Sequence, residues 1–347
     1  MKKSLLTLAI AGAFAVSFTA QAGTLTTANT DITLSGGVAG GYVYNTDTSL
    51  DNITVNDALV DLSSAAKTGG VGFDLGVGVL AGDSLASSGS PLVSATTGSN
   101  TTVQYGWLSI MPMDGLNIQA GTLATNVGYE VVPSYQNGNI LRGLVWNNEP
   151  AYYNGIRATY SMNNMSVYAE ANKNATSCVT TTNCSGSGVG ASGSFGNVNA
   201  ALNFFDVANS RSMYDIIVST KAGSATIAAN IDYIQKAKVA KVAGTDDNAY
   251  GIALYASLPM GSMASLPMRL EYVNDGTSGI YSLGGPSYKN TAITFTITPT
   301  YNFSKSTFVR AELAYVSTDK KTAAYVDDKG AITDSNLIVG FQGGLMF

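Results

Sequence analysis

Residues 116–160 read LNIQAGTLATNVGYEVVPSYQNGNILRGLVWNNEPAYYNGIRATY. An alternating apolar/polar run from Leu116 to Thr122 leads in, and a second from Tyr153 to Met162 leads out. Period-2 runs of this kind are strands with one apolar face. The thirty residues between them, Leu123 to Tyr152, carry too few charges for a solvated tail and too much Gly, Asn and Pro for a long helix. A connection this long is rare unless it has a task. The expectation is a loop folded into the lumen of a β-barrel, where it sets the bore of a channel.

The rest of the chain supplies a wall for such a barrel. Sixteen segments alternate, beginning with Ile32 to Tyr44, where Ile32, Leu34, Val38, Tyr42 and Tyr44 oppose Thr33, Ser35, Gly37 and Ala39. Val55–Ser63, Val71–Ala81 and Thr102–Met111 come next, then the two strands quoted above and Met165–Asn172. The second half continues with Ser187–Phe195, Val198–Phe204, Ser212–Thr220, Ala225–Tyr233, Ala249–Leu258 and Leu266–Tyr272. Ala292–Phe303, Thr307–Ser317 and Asn336–Phe347 complete the set. Ile140–Trp146 is left inside the loop, because a seventeenth strand would break the even count that such barrels keep.

Connections alternate between short turns (Asn163-Asn164, Gly196-Asn197) and long stretches (82–101, 123–152, 173–186, 234–248, 273–288, 318–335). Outer-membrane barrels have short periplasmic turns and longer external loops. Outward aromatics fall at both strand ends, Tyr42, Tyr44, Phe204, Tyr233, Tyr272 and Tyr315 at one and Tyr160, Phe195, Tyr301, Phe303 and Phe347 at the other. Two interfacial girdles require that banding.

Both ends of the chain agree. Lys2, Lys3, the apolar run Ser4–Phe18 and Ala20-Gln21-Ala22 form a secretory signal, expected to be cleaved before Gly23. That run is shorter than the roughly 20 apolar residues of a spanning helix. Removing residues 1–22 would leave 325 residues, with 16 Lys+Arg against 23 Asp+Glu. Residues 23–347 are then one barrel domain in the outer membrane. Charged residues make up only 12% of the chain and Gly numbers 38; soluble domains carry about 25% charge. At the far end Leu337, Val339, Phe341, Gly343, Leu345 and Phe347 alternate to the last residue. Phe341, Leu345 and Phe347 resemble the signal that barrel-assembly machinery reads.

Much chemistry is excluded. The chain has no His, which closes the His-dependent mechanisms of outer-membrane phospholipases, lipid A deacylases and omptin-type proteases. A Ser-Lys or paired-carboxylate site stays open, though no pair stands out. No cofactor or metal site is expected. Cys178 and Cys184 are expected to pair and pin a Thr/Ser-rich loop. The acidic balance argues against nucleic acid.

Inward positions carry Asp57, Asp61, Asp74, Arg157, Glu170, Asp232, Arg269, Glu271, Arg310 and Glu312, and the loop adds Glu130, Arg142 and Glu149. Each is either a wall charge anchoring the loop or part of a charged ring that selects ions, as in pores generally. Glu130, Arg142, Glu149, Arg157, Arg310 and Glu312 are the candidates for that constriction. Excess acid favours cations, weakly.

The quoted stretch resembles the putative β-barrel porin-2 (OmpL-like) family. The resemblance rests on Ala120-Gly121, Gly128-Tyr129-Glu130, Asn139–Leu144 with Arg142, and Gly155-Ile156-Arg157-Ala158-Thr159-Tyr160. Thr122 stands where that family usually has a basic residue. The resemblance implies an outer-membrane porin, and sixteen strands are wide enough for an aqueous channel. Expected partners are lipid and lipopolysaccharide, the assembly machinery, and ions and small hydrophilic solutes. Barrels of this width are commonly homotrimers; monomer or trimer stays open. The competing reading is a surface adhesin or structural barrel acting through its external loops. A channel for hydrophobic compounds would need an apolar lumen, which the inward Thr, Asn and Gly disfavour.

Overall fold

The computed structural model describes residues 23–26, 31–86, 102–173, 185–285 and 287–347. Cys178 and Cys184 fall outside these residues, as does the segment 1–22. The strands of the first half are β1 (Gly23–Thr26), β2 (Asp31–Asn45), β3 (Leu50–Ser64), β4 (Gly70–Leu80), β5 (Thr102–Met113) and β6 (Leu116–Ala124). After the central segment come β7 (Tyr152–Met162), β8 (Met165–Lys173), β9 (Ser185–Phe195), β10 (Val198–Val207), β11 (Arg211–Ala222) and β12 (Ala225–Lys236). The last are β13 (Asn248–Pro259), β14 (Ala264–Gly276), β15 (Asn290–Ile297), β16 (Thr300–Asn302), β17 (Thr307–Val326) and β18 (Ile332–Met346).

Every pairing between neighbouring strands is antiparallel, and β18 pairs back onto β2, from Met346↔Gly37 to Ile338↔Asn45. The sheet therefore closes on itself, which removes its edges. β15 and β16 both lie between β14 and β17, so they are two pieces of one barrel strand. With that merger, β2 to β18 make a sixteen-stranded barrel. β1 pairs with Asp31–Leu34, continuing along β2 just ahead of the contact with β18.

The interruption between β15 and β16 corrects the expected unbroken strand Ala292–Phe303. Pro299 has no N–H to give the ladder, and proline ends regular pairing inside a sheet. The turn residues behave as sequence chemistry demands elsewhere. Gly196 and Gly223 hold φ of +63° and +64° in their two-residue turns, a region open to Gly at no steric cost. The expected long connection 318–335 is largely strand, since β17 runs on to Val326 and β18 starts at Ile332.

Alternation sorts the two faces. Val38, Leu202, Ile216, Leu254, Ile293, Phe295, Leu313 and Phe341 are exposed on the outer face, while Ala39, Asn203, Ile217, Ala253, Thr294, Thr296 and Ala314 are buried. An apolar outer face with a packed inner one is the reverse of a soluble barrel and suits lipid outside. Near the long-connection end, Phe204, Tyr214 and Tyr233 form a row with ring centroids 5.0 and 6.2 Å apart. Tyr160, Phe195, Tyr301 and Phe303 are exposed at the opposite end. No helix among the described residues is long and apolar enough to cross a membrane.

Candidate functional site

The connection between β6 and β7, residues 125–151, has no strand of its own beyond one bridge, Arg142 to Ser84. It contains two single turns of 3₁₀-helix, Ser134–Gln136 and Trp146–Asn148. A buried segment without regular pairing must find partners for its main-chain N–H and C=O groups elsewhere. The barrel wall provides them, and it does so with acidic and basic side chains.

Glu271 of β14 accepts the N–H groups of Leu144 (3.2 Å) and Val145 (3.0 Å). Glu312 of β17 accepts those of Ile140 and Leu141 (3.1 Å). Asp57 of β3 accepts the N–H of Ser134 at 2.6 Å. Three wall carboxylates thus hold five N–H groups. Arginines take the carbonyls. Arg310 donates to the carbonyls of Asn137 (2.7 Å) and Ser134 (2.9 Å) and Arg269 to that of Leu141 (2.8 Å), while Arg157 reaches the Asn126 amide oxygen (3.4 Å) and the carbonyl of Ala124 at the end of β6 (2.8 Å). Arg211 of β11 grips Asn148 through both its side-chain and main-chain oxygens, at 2.9 and 2.8 Å.

Within this frame Arg269 also pairs with Glu130 at 2.6 Å and lies 3.4 Å from Glu271. Glu130 in turn accepts the Gly143 N–H at 2.7 Å. Burial raises the Glu130 carboxyl above its ordinary range, against the opposing pull of Arg269. Arg157 pairs with Glu170 at 2.7 Å, and Tyr153 donates to the same carboxylate at 2.6 Å. Arg142 belongs to the segment. It donates to the carbonyls of Asp83 (3.1 Å) and Val131 (3.3 Å), with its guanidinium 5.4 Å from the Trp146 ring.

The break in the strand at Pro299 contributes here. Thr298, beside it in the inward threonine row, keeps its main-chain bond to Pro267 and donates its hydroxyl to Glu312 at 2.9 Å, while accepting from Asn139 at 2.7 Å. Taken around the barrel, the segment is tied to β3, β7, β10, β11, β12, β14, β17 and to Gln342 of β18.

All six sequence-derived constriction candidates lie at this interface, but five of them are committed to structural bonds. Glu130, Arg142, Arg157, Arg310 and Glu312 spend their charge on one another, on their neighbours or on main chain. Glu149 is different. One of its oxygens accepts from Asn230 at 2.9 Å, and the other has no donor. Burial and the nearby charges of Asp215 and Glu130 push its carboxyl well above the usual range.

Sequence reasoning missed several participants. Asp215, Asn203, Asn230 and Gln342 sit at inward positions of their strands, which alternation alone marks. The apolar share of the interior was missed as well. Toward the long-connection end Val43, Ile234, Val273, Val316 and Ile338 point inward and pack with Leu141, Leu144 and Val145. Leu85, Tyr281 and Leu283, from the outer connections, and Tyr325, near the end of β17, complete that cluster. A cavity of about 30 Å³ lies between the segment and β12–β14, lined in part by Tyr129, Gln136, Asn137 and Tyr255. It has room for a water or two.

The family model described as putative beta-barrel porin-2, OmpL-like, matches residues 18–347. Solved structures share the fold at low identity. The outer membrane channel DcaP of Acinetobacter baumannii is 13% identical with a TM-score of 0.61, covering 94% of this chain and 100% of that one. An anion-selective porin from Comamonas acidovorans is 14% identical, with a TM-score of 0.61 over 91% and 99% of the two chains. The trimer form of OmpT, an outer membrane protein of Vibrio cholerae, is 10% identical, with a TM-score of 0.58 over 91% and 99%. No curated protein matches.

Proposed function

Because the chain belongs to the putative beta-barrel porin-2, OmpL-like family, it is an outer-membrane porin, and we propose that residues 125–151 form its constriction. The observation that supports this most is the wall's grip on the segment from opposite sides. Asp57 and Gln342 hold Ser134, Glu271 holds Leu144 and Val145, and Asn230 holds Glu149. A strap fixed at so many points leaves only narrow passages beside it. Such gaps pass ions and small hydrophilic solutes by diffusion and exclude larger ones.

The charge that remains is acidic. Arg142, Arg157, Arg211, Arg269 and Arg310 all spend donors on acceptors of the wall or segment. Glu149, Asp215 and Asp232 form no ion pair among the described residues. Wherever these carboxyls ionise they favour cations, so the channel is cation-preferring toward the alkaline side. Reconstituted in a planar bilayer under a salt gradient, it gives discrete steps with a reversal potential of cation sign. A reversal potential of anion sign refutes the selectivity; a folded barrel without steps refutes the channel and returns the function to the external loops.

A channel suits Asp57, Glu271 and Glu312 better than catalysis does, since they hold main-chain N–H groups rather than one another. Residues 1–22 act as the export signal. Phe341, Leu345 and Phe347 present the closing strand to the assembly machinery. The assembly is a homotrimer, as in the trimer form of OmpT; cross-linking in detergent that yields monomer alone rejects it.

A further inference from the structure

Three carboxyls meet where the segment touches β11 and β12. Glu149 lies within hydrogen-bonding reach of Asp232, and Asp232 within reach of Asp215. Asp232 and Asp215 are 0% and 1% exposed. Glu149 Oε2, Asp215 Oδ2 and Asp232 Oδ2 have no donor, and neither does Oδ1 of the wholly buried Asn230 beside them. The donors that do reach the group are amides. Asn230 serves Glu149 at 2.9 Å and Asp232 at 3.2 Å, Asn203 serves Asp215 at 2.6 Å, and the Gly128 N–H also reaches Asp215.

Two ionised carboxylates in contact only accept, so they repel; a proton between them turns the contact into a bond. The other groups facing Glu149 do little to neutralise it. Glu130 of its own segment adds negative charge, and Tyr255 of β13 and Tyr281 of the connection after β14 are neutral phenols nearby. Arg211 faces Asp232 while its donors hold Asn148. Asp61 and Asp74 also meet, but both belong to the wall and so fasten no part of the segment.

We propose that Glu149, Asp215 and Asp232 form a proton-operated latch that fastens the segment to the β11–β12 wall when they share protons and releases it when they ionise. This rests on the reading of the segment as the constriction. The latched state binds more protons than the released one, so acid favours it. As the pH climbs past the ordinary carboxylate value of about 4, withdrawing those protons costs the latched state progressively more. Conductance therefore increases with pH.

Gly128 gives independent leverage. Its φ is +90°, and a Cβ there would lie 1.6 Å from Glu149 Oε2. Gly128→Ala thus displaces the Glu149 carboxyl without changing any charge.

The test is conductance of the folded mature barrel in neutral-lipid planar bilayers, in screening salt, from about pH 4 to about pH 9. Folding is verified for each protein by its β-sheet circular dichroism. The wild type conducts several-fold more at the alkaline end. Glu149→Gln, whose amide donates to Asp232 at any pH, flattens that rise toward the acid-side level. Gly128→Ala flattens it toward the alkaline level, and carries the test if the glutamine variant fails to fold. A wild type that conducts equally across the range, or more in acid, overturns the latch while leaving the porin reading intact. So does a folded Glu149→Gln barrel that keeps the full wild-type profile. A folded wild type that never conducts overturns both.

Discussion

Arg269 carries two carboxylates at once, bonding Glu130 at 2.6 Å and standing 3.4 Å from Glu271, with all three side chains sealed from solvent. It is the one cation in a nest that also fastens Leu141, Leu144 and Val145. Removing one partner of a buried ionic group costs about 3–5 kcal/mol, because the remaining charge is stranded. Arg269→Met is expected to lower barrel stability by about that amount, read as a fall in the urea midpoint of the detergent-folded protein. A midpoint unchanged from wild type would show that water reaches the nest and screens it. Alternation identified Arg269 and Glu271 as inward residues, and composition identified Glu130 as a loop charge. Their partnership was not legible, because much of it runs to main-chain atoms, whose identity no side chain records. Asp215 was legible and was passed over. It shares inward parity with Met213 and Ile217, on a strand whose adjacent Ile216 and Ile217 put apolar residues on both faces and blur the alternation.

At the scale of elements, the strands are written plainly in the chain because lipid imposes one uniform requirement on every outward position. Phe341 and Leu345 on β18, like Ile293 and Phe295 on β15, satisfy it without reference to any neighbour. The central segment has no such uniform solvent, so it has no period to read. Its limits were nevertheless close, since Gly, Asn and Pro end the pattern near Ala124 and the pattern resumes near Tyr152. What stayed hidden was its path, which depends on which inward side chains it meets, as Asn139 meets Thr298 beside Glu312. Replacing residues 136–146 with a short Gly-Ser linker frees Glu271 and Glu312 and is expected to raise single-channel conductance several-fold. Conductance equal to wild type in that variant would place the narrowing elsewhere.

For the molecule as a whole, closure rests on one seam. β18 meets β2 from Ile338 to Met346, and Phe347 exchanges two main-chain hydrogen bonds with Gly36. Deleting residues 345–347 leaves Gly36–Val38 of β2 as an open edge in lipid, where unpaired main chain costs several kcal/mol per group. The truncated chain should fail to yield the folded form that migrates faster on gels before heating; normal yield would show that the seam closes without its last rung. The pattern of attachment inside the barrel has a further consequence. Asp57, Glu271 and Glu312 recognise backbone N–H groups, which every residue except proline supplies. At those points the wall reads the route of the segment and ignores its spelling, in contrast to Glu130, Asn139, Asn148 and Glu149, whose side chains it also binds. Side chains such as Gln136, which is exposed beside the cavity, are free to be rewritten while the route persists. This barrel is thereby suited to engineering as a sensing pore, where new chemistry is installed along the segment without rebuilding the support beneath it.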